Sequence, residues 1–388
     1  MDMYLLFFII ITSIFIAPEI LKRFNVPGIT ATMLAGMVIG PYGLGLIDVD
    51  NTIEVFSSFG AIFLMFLAGV EVDNGTLREE FGKSTIISLF SLVIPAMGGY
   101  LIGTWFGLDF IGSLLYASIF SSHSVGMIYA LMNELDLTKT RFGTTALSAT
   151  IIVDLISLIV LSIIIRMSMN TQNSDIGYFI GLVLLYILGL LLTIPYISKI
   201  IFQKFEKLHI KKIHFVLFVI LISILAGERI GLHPIIGAFI TGIAVSESLT
   251  KKEHDELLNK NLNAIGYGFF IPIFFLTLGM TTDTGVLFNL KNMGLILATI
   301  IGAMTLKLTS GYMSFKLIGY NKLQSICGGL LTIPQISASL VAASVGRELG
   351  IISDEFFVAI VVLSLVTSMI TPIFVKKLVM DNREKFVN

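Results

Sequence analysis

The chain has 388 residues, of which 55% are hydrophobic and only 13% charged, with a mean hydropathy of +0.93. Packed soluble domains carry about a quarter charged residues, so soluble globular and coiled-coil readings fail and an all-α polytopic membrane protein remains. A net charge of −1 gives no electrostatic case for nucleic acid as a partner, and the single cysteine, Cys327, excludes an internal disulfide.

The first apolar run, 4–18, has no basic n-region and no small-residue cleavage site, which predicts a permanent span in place of a signal peptide. Splitting the chain at charged, Gly and Pro clusters predicts thirteen spans, at 4–21, 27–46, 53–72, 84–106, 111–133, 142–166, 176–198, 213–230, 234–248, 262–281, 293–317, 323–346 and 355–376. With the N-terminus outside, 20 of the 25 basic residues fall in inside loops, four fall outside and one, Lys307, lies within a span. That asymmetry predicts a plasma-membrane protein with its N-terminus out and its C-terminus in the cytoplasm. The basic stretch "KIIFQKFEKLHIKK" at 199–212 predicts an interfacial linker helix on the cytoplasmic side.

The two sides of that linker resemble each other. "FLMFLAGVEVD" (63–73) and "FFLTLGMTTD" (274–283) both end Gly-x-x-x-Asp, at Gly69/Asp73 and Gly279/Asp283. "PGITATMLAG" from Pro27 matches "PIIGAFITG" from Pro234, and "MNELDL" (132–137) matches "GRELGI" (346–351). The offsets are 210, 207 and 214, in chain order. An internal duplication over 27–166 and 234–376 follows. Its copies start seven spans apart, and an odd number inverts the second copy. Inverted repeats are the mark of secondary transporters with alternating access.

Matching spans of the two copies are interrupted. The fifth carries "SSHSVG" at 121–126, and the twelfth carries "TIPQISAS" at 332–339, where Pro334 cannot donate to a helix ladder. Unwound backbone at membrane depth is tolerated where it is buried or lines a cavity, so Ser121, Ser122, His123, Ser124, Gln335 and Ser337 are candidate ligands or cavity lining. Close packing of small residues is the plain alternative for either span alone.

Asp154 is the one charge in the run 143–165, and Lys307 the one charge in 293–315. Such a charge costs about 2.5–3.5 kcal/mol at a helix centre on insertion scales and marks an ion pathway by default; the plain alternative is an Asp154–Lys307 ion pair stapling two spans. A buried carboxylate holds a proton or, ionised, helps to hold Na⁺ or K⁺, but not both, which suffices for exchange. Thr150, four residues earlier, shares its helix face as a candidate ligand, unless its hydroxyl bonds back to its own helix. His123 reads equally as a pH sensor or a hydrogen-bonded packing residue. Glu71 is a candidate for a cytoplasmic funnel or a solvated helix end. No cofactor is called for, and the only metal is the transported ion at Asp154. A cation channel would not need inverted repeats around one titratable site. A sodium-coupled symporter would need a larger polar pocket, and an intramembrane aspartyl protease two mid-span aspartates, so an enzyme is not expected.

The order "GPYGLG", "FLAGVEVD", a Ser-rich broken span, an intramembrane Asp, a Lys-bearing span and "TIPQISASLVAASVG" resembles the monovalent cation/proton antiporter-2 family over nearly the whole chain. That family includes bacterial sodium/proton antiporters and potassium efflux antiporters, and "IPQISASL" looks more like the sodium branch. The resemblance implies a homodimer, dimerisation helices at about 27–46 and 176–281, and core helices at about 84–166 and 293–376 with two crossed broken helices. It implies that Asp154 is the cation and proton site and Lys307 the core lysine. Electrogenic members carry Asp-Asp at the key position and many electroneutral ones Asn-Asp. Here the pair is Val153-Asp154, which implies one cation per proton; a lysine that deprotonates would carry a second proton.

Overall fold

Where lipid offers the backbone no partners, an open chain must satisfy its own peptide groups as helix. The computed structural model describes residues 3–24, 26–71, 81–138, 140–168, 176–204, 209–248 and 253–387, and among them the regular structure is all helical. The first half comprises α1 (Met3–Leu21), α2 (Gly28–Ile39), α3 (Asn51–Val70), α4 (Phe81–Trp105), α5 (Phe110–Ser121), α6 (Val125–Glu134) and α7 (Arg141–Ser168). Then come α8 (Ile176–Lys204), α9 (His209–Arg229), α10 (Pro234–Ser246) and α11 (Glu253–Ile265), which runs through a π turn (Gly266–Phe270) into α12 (Ile271–Met280). The chain continues with α13 (Thr284–Phe288), α14 (Leu290–Leu317), α15 (Lys322–Leu331), α16 (Ala338–Glu348), α17 (Asp354–Met380) and α18 (Glu384–Val387).

Each of the thirteen predicted spans contains helix among the described residues, and nine helical segments among those residues are long and apolar enough to cross a membrane. The second span is shorter than the expected 27–46. Helix α2 stops at Ile39, and "GPYGLG" is a turn in which the Leu44 and Leu46 N–H groups bond back to Val38 and Ile39 carbonyls at 2.7 and 3.0 Å; Pro41 lacks the N–H to continue the helix. No separate linker helix is described in 199–212: residues 199–204 complete α8, residues 209–212 open α9, and 205–208 lie outside the described residues. Asp73 also lies outside them.

The chain divides into two compact units. Unit 1 holds residues 1–54, 76–164 and 275–388, and unit 2 holds 55–75 and 165–274. The expected core ranges fall almost wholly in unit 1. Helix α2, expected among the dimerisation helices, groups there too, because Thr30 shares a 2.8 Å hydroxyl hydrogen bond with Ser368 of α17 and α2 packs closely on α12.

The motif glycines show why the repeated segments match. A Cβ on Gly36 (α2) would fall 2.0 Å from the Leu276 carbonyl oxygen, and one on Gly279 (α12) 2.0 Å from that of Met33. In unit 2, a Cβ on Gly69 (α3) would fall 2.2 Å from the Phe239 oxygen, and one on Gly242 (α10) 2.1 Å from that of Phe66. Each glycine thus meets the residue three positions before its partner glycine. Exchanging the repeats converts the α2–α12 pair into the α10–α3 pair, as a duplicated unit requires. Backbones this close leave no room for a side chain, the usual device of tight membrane helix pairs.

Candidate functional site

The site forms in unit 1 where both predicted interruptions are found. Helix α5 ends at Ser121, residues 122–124 are non-helical, and α6 starts at Val125. Helix α15 ends at Leu331, residues 332–337 contain Pro334, and α16 starts at Ala338. The two breaks meet. Ser122 and Ser339 share a hydroxyl hydrogen bond of 2.6 Å, and Gln335 Nε2 donates to the Phe120 carbonyl at 2.9 Å.

Each break leaves a helix C-terminus with unpaired carbonyls and partial negative charge. Lys307, on α14 and fully buried, answers both. Its Nζ donates to the Ser122 carbonyl and, at 3.0 Å, to the Thr332 carbonyl. Thr332 Oγ1 donates back to the Lys307 carbonyl at 3.0 Å. Asp154 lies at the opposite kind of end. Its Oδ1 accepts the His123 backbone N–H at 3.0 Å, just ahead of α6, where the helix dipole favours an anion. Its Oδ2 is buried with no hydrogen-bond partner.

The staple expected as the plain alternative is not formed: among the described residues Lys307 makes no ion pair with Asp154, because its donors are spent on the two carbonyls. Each charge is tied to a broken helix instead. Each also occurs once, although the scaffold is duplicated. Ser121 Oγ donates to the Leu92 carbonyl at 2.9 Å, as Thr332 donates to Lys307, so Leu92 of α4 stands where the second copy has its lysine. Helix α17, the counterpart of α7, has hydroxyl residues but no charge between Glu355 and Lys376.

The other candidates divide. Thr150 is buried, and its hydroxyl donates to the Ala146 carbonyl at 2.9 Å, so its proton is committed to its own helix and only its lone pairs face elsewhere. Ser121 bonds to Leu92 and Ala117. The Ser124 hydroxyl makes no capping bond to α6. The His123 ring is buried with neither nitrogen partnered, which corrects its reading as a hydrogen-bonded packing residue; its backbone does the bonding. Gln335 Oε1 and Ser337 Oγ are buried and unpartnered. With Nε2 fixed on Phe120, Gln335 Oε1 is held as a neutral acceptor beside the break. Glu71 belongs to unit 2, where it follows α3 with Oε2 buried and unpartnered, not as a solvated end. Sequence reasoning missed Thr332 and Ser339, and it missed that the anion partner is the His123 main chain. A main-chain donor leaves no residue-type signal, and Ser339 looks like any small packing residue.

Paired broken helices in inverted repeats, with a buried carboxylate at one helix end and an ammonium closing two others, define a membrane ion transporter rather than an enzyme. The chain belongs to the sodium/hydrogen exchanger family: the model described as "Sodium/hydrogen exchanger, transmembrane" matches residues 9–380. This is the family shown, in place of the narrower antiporter-2 assignment, since short motifs common to exchangers do not separate their branches. The chain is 60% identical over 373 residues, 96% of each chain, to a probable Na⁺/H⁺ antiporter of Methanocaldococcus jannaschii. It is 27% identical to a Na⁺/H⁺ antiporter of Enterococcus hirae, over 95% of this chain and 96% of that one. It is 28% identical to the Na⁺/H⁺-K⁺ antiporter GerN of Bacillus cereus, over 95% and 94%. In fold it is similar to the sodium proton antiporter MjNhaP1 of Methanocaldococcus jannaschii, with a TM-score of 0.72 over 95% of this chain and 94% of that one at 14% identity.

Proposed function

We propose that this protein is a secondary active sodium/proton antiporter that works by alternating access, with Asp154 as the shared site of cation and proton. The observation that carries this reading is the divided state of the Asp154 carboxylate. One oxygen is held by a main-chain N–H beside a broken helix, and the other is buried and free. A proton on that free oxygen relieves the cost of burial, and Na⁺ relieves it equally when the group is ionised. Either occupant excludes the other, so the loaded site crosses with one or the other.

Oxygen ligands suit a hard monovalent ion. Thr150, Gln335 and Ser337 are the candidate neutral oxygens, the last two buried and unpartnered, with Ser121, Ser122, His123 and Ser124 around the break. Lys307 keeps the crossing closed, and Glu71 belongs to the cytoplasmic approach. Val153 cannot ionise, so one cation exchanges for one proton and the cycle is electroneutral. The protein acts as a homodimer in the plasma membrane, N-terminus out, with core and dimerisation helices divided as the family resemblance implies. Potassium is the second reading, favoured by the likeness to an antiporter named for both ions.

The test is exchange in proteoliposomes of purified protein, followed with a pH-sensitive dye on adding Na⁺, K⁺ or Li⁺. Cation-driven proton movement in the wild type that is lost in Asp154→Asn supports the reading and names the ion. Insensitivity to a potassium/valinomycin clamp supports electroneutrality. Exchange that survives in Asp154→Asn overturns the role of Asp154.

A further inference from the structure

Unit 1 carries an apolar cluster that involves α4, α6, α7, α14, α15 and α17, including Ile128, Leu131, Phe142, Ala149, Phe315, Cys327, Leu331 and Val375. Three members come from outside the spanning helices: Leu135 and Leu137, between α6 and α7, and Phe386. Phe386, on the short α18, is fully buried, and its ring lies edge-on to Phe142 at 5.5 Å. Phe142 in turn contacts Phe315 at 5.5 Å and Tyr320 at 5.7 Å.

Polar contacts seat the same segment on both broken helices. Asn321 and Gln324 form a capping box at the start of α15, spending their carbonyl oxygens on each other's backbone N–H groups. Their amide nitrogens remain, and both donate to the Lys385 carbonyl, at 3.4 Å from Asn321 and 2.8 Å from Gln324. Arg383 pairs with Asp136 at 3.0 Å, just beyond the end of α6, at the one described non-glycine residue with a left-handed φ, +55°. A second tie, Lys376 of α17 to Glu134 of α6 at 2.6 Å, lies nearby. The segment thus joins the second half of one broken helix to the first half of the other, and every one of these partners lies in unit 1.

We propose that residues 381–386 form a releasable strap that holds the ends of α6 and α15 together and thereby slows turnover. Leaving the strapped arrangement requires withdrawing Phe386 from its aromatic seat. The contacts deepen one well of the conformational cycle, and in many transport and catalytic cycles a conformational exit sets the maximal rate. Ion binding at Asp154 is untouched, because no strap residue reaches the breaks.

The rate part of this inference rests on the antiporter reading; the structural part does not. Two variants of the full chain separate them: Phe386→Ala, and Arg383→Gln, which leaves the buried ring in place. Amide hydrogen exchange is expected to rise in both 134–138 and 321–325, which are far apart in sequence, and not in α2 or α10. In proteoliposomes the maximal exchange rate is expected to rise about twofold in Arg383→Gln, the scale of one exposed ion pair, and more in Phe386→Ala, with the half-saturating cation concentration unchanged. Amide exchange that rises only within 381–386, or a rate that stays level or falls in Arg383→Gln, overturns the strap. Should the wild type show no cation/proton exchange at all, the antiporter reading fails, and the amide exchange result alone still decides whether the strap joins the two helix ends.

Discussion

Lys307 and Thr332 bond reciprocally: the lysine ammonium donates to the Thr332 carbonyl, and the Thr332 hydroxyl donates to the Lys307 carbonyl, each at 3.0 Å. The pair closes one broken helix against α14, and the remaining reach of the ammonium closes the other at Ser122. Lys307→Met, of similar length and without donors, leaves two buried carbonyls unpaired at about 1–3 kcal/mol each. Its expected result is a large loss of thermal stability in detergent, measured by scanning fluorimetry. A variant as stable as the wild type would show that the ammonium is not the cap.

Ser339→Ala removes one half of the direct hydroxyl link between the breaks. Ser122 Oγ keeps its contact with the Ile119 carbonyl at 3.1 Å, so no polar atom is stranded. The expected cost is about 1 kcal/mol of stability, with folding intact and a reduced exchange rate. Chemical denaturation and the dye assay check the two halves of this expectation.

The four motif glycines predict a position-specific steric effect. Gly36→Ala and Gly242→Ala place a methyl group about 2 Å from a backbone oxygen, which a flexible side chain cannot relieve. The expected loss is at least the 1–3 kcal/mol typical of overpacking, roughly, and more where the helices must part. Gly189→Ala, on α8 with nothing within 4 Å, is the control and is expected to be neutral or slightly stabilising. Yields and melting temperatures of the three variants decide it.

His233, in the turn before α10, supplies a pH-dependent stability. Burial lowers its pKa from 6.5 to about 4, and its Nδ1 is shut in without a partner. Between those values the unfolded chain binds a proton that the folded chain refuses. Folding stability therefore rises with pH through this window and is lost on acidification from 6.5 towards 4. His233→Gln is expected to flatten the melting temperature against pH in that interval and to leave it unchanged above pH 7.

The sequence by itself determined the membrane class, the all-helical build, the inverted duplication, the two interruptions and the two lone intramembrane charges. Each of these follows from one-dimensional quantities: runs of apolar residues, spacing, and helix breakers such as Pro334. The tertiary structure decided what those features do to one another. An Asp154–Lys307 ion pair was the plain alternative in sequence, yet the ammonium goes to the carbonyls of Ser122 and Thr332 and the carboxylate accepts the His123 N–H, because the two breaks bring unpaired main-chain groups within reach of each side chain. The Gly69–Gly242 and Gly36–Gly279 approaches and the seat of Phe386 were equally beyond sequence reasoning. They depend on which helix faces lie together, and a main-chain donor or a buried phenylalanine looks the same in sequence wherever the fold puts it.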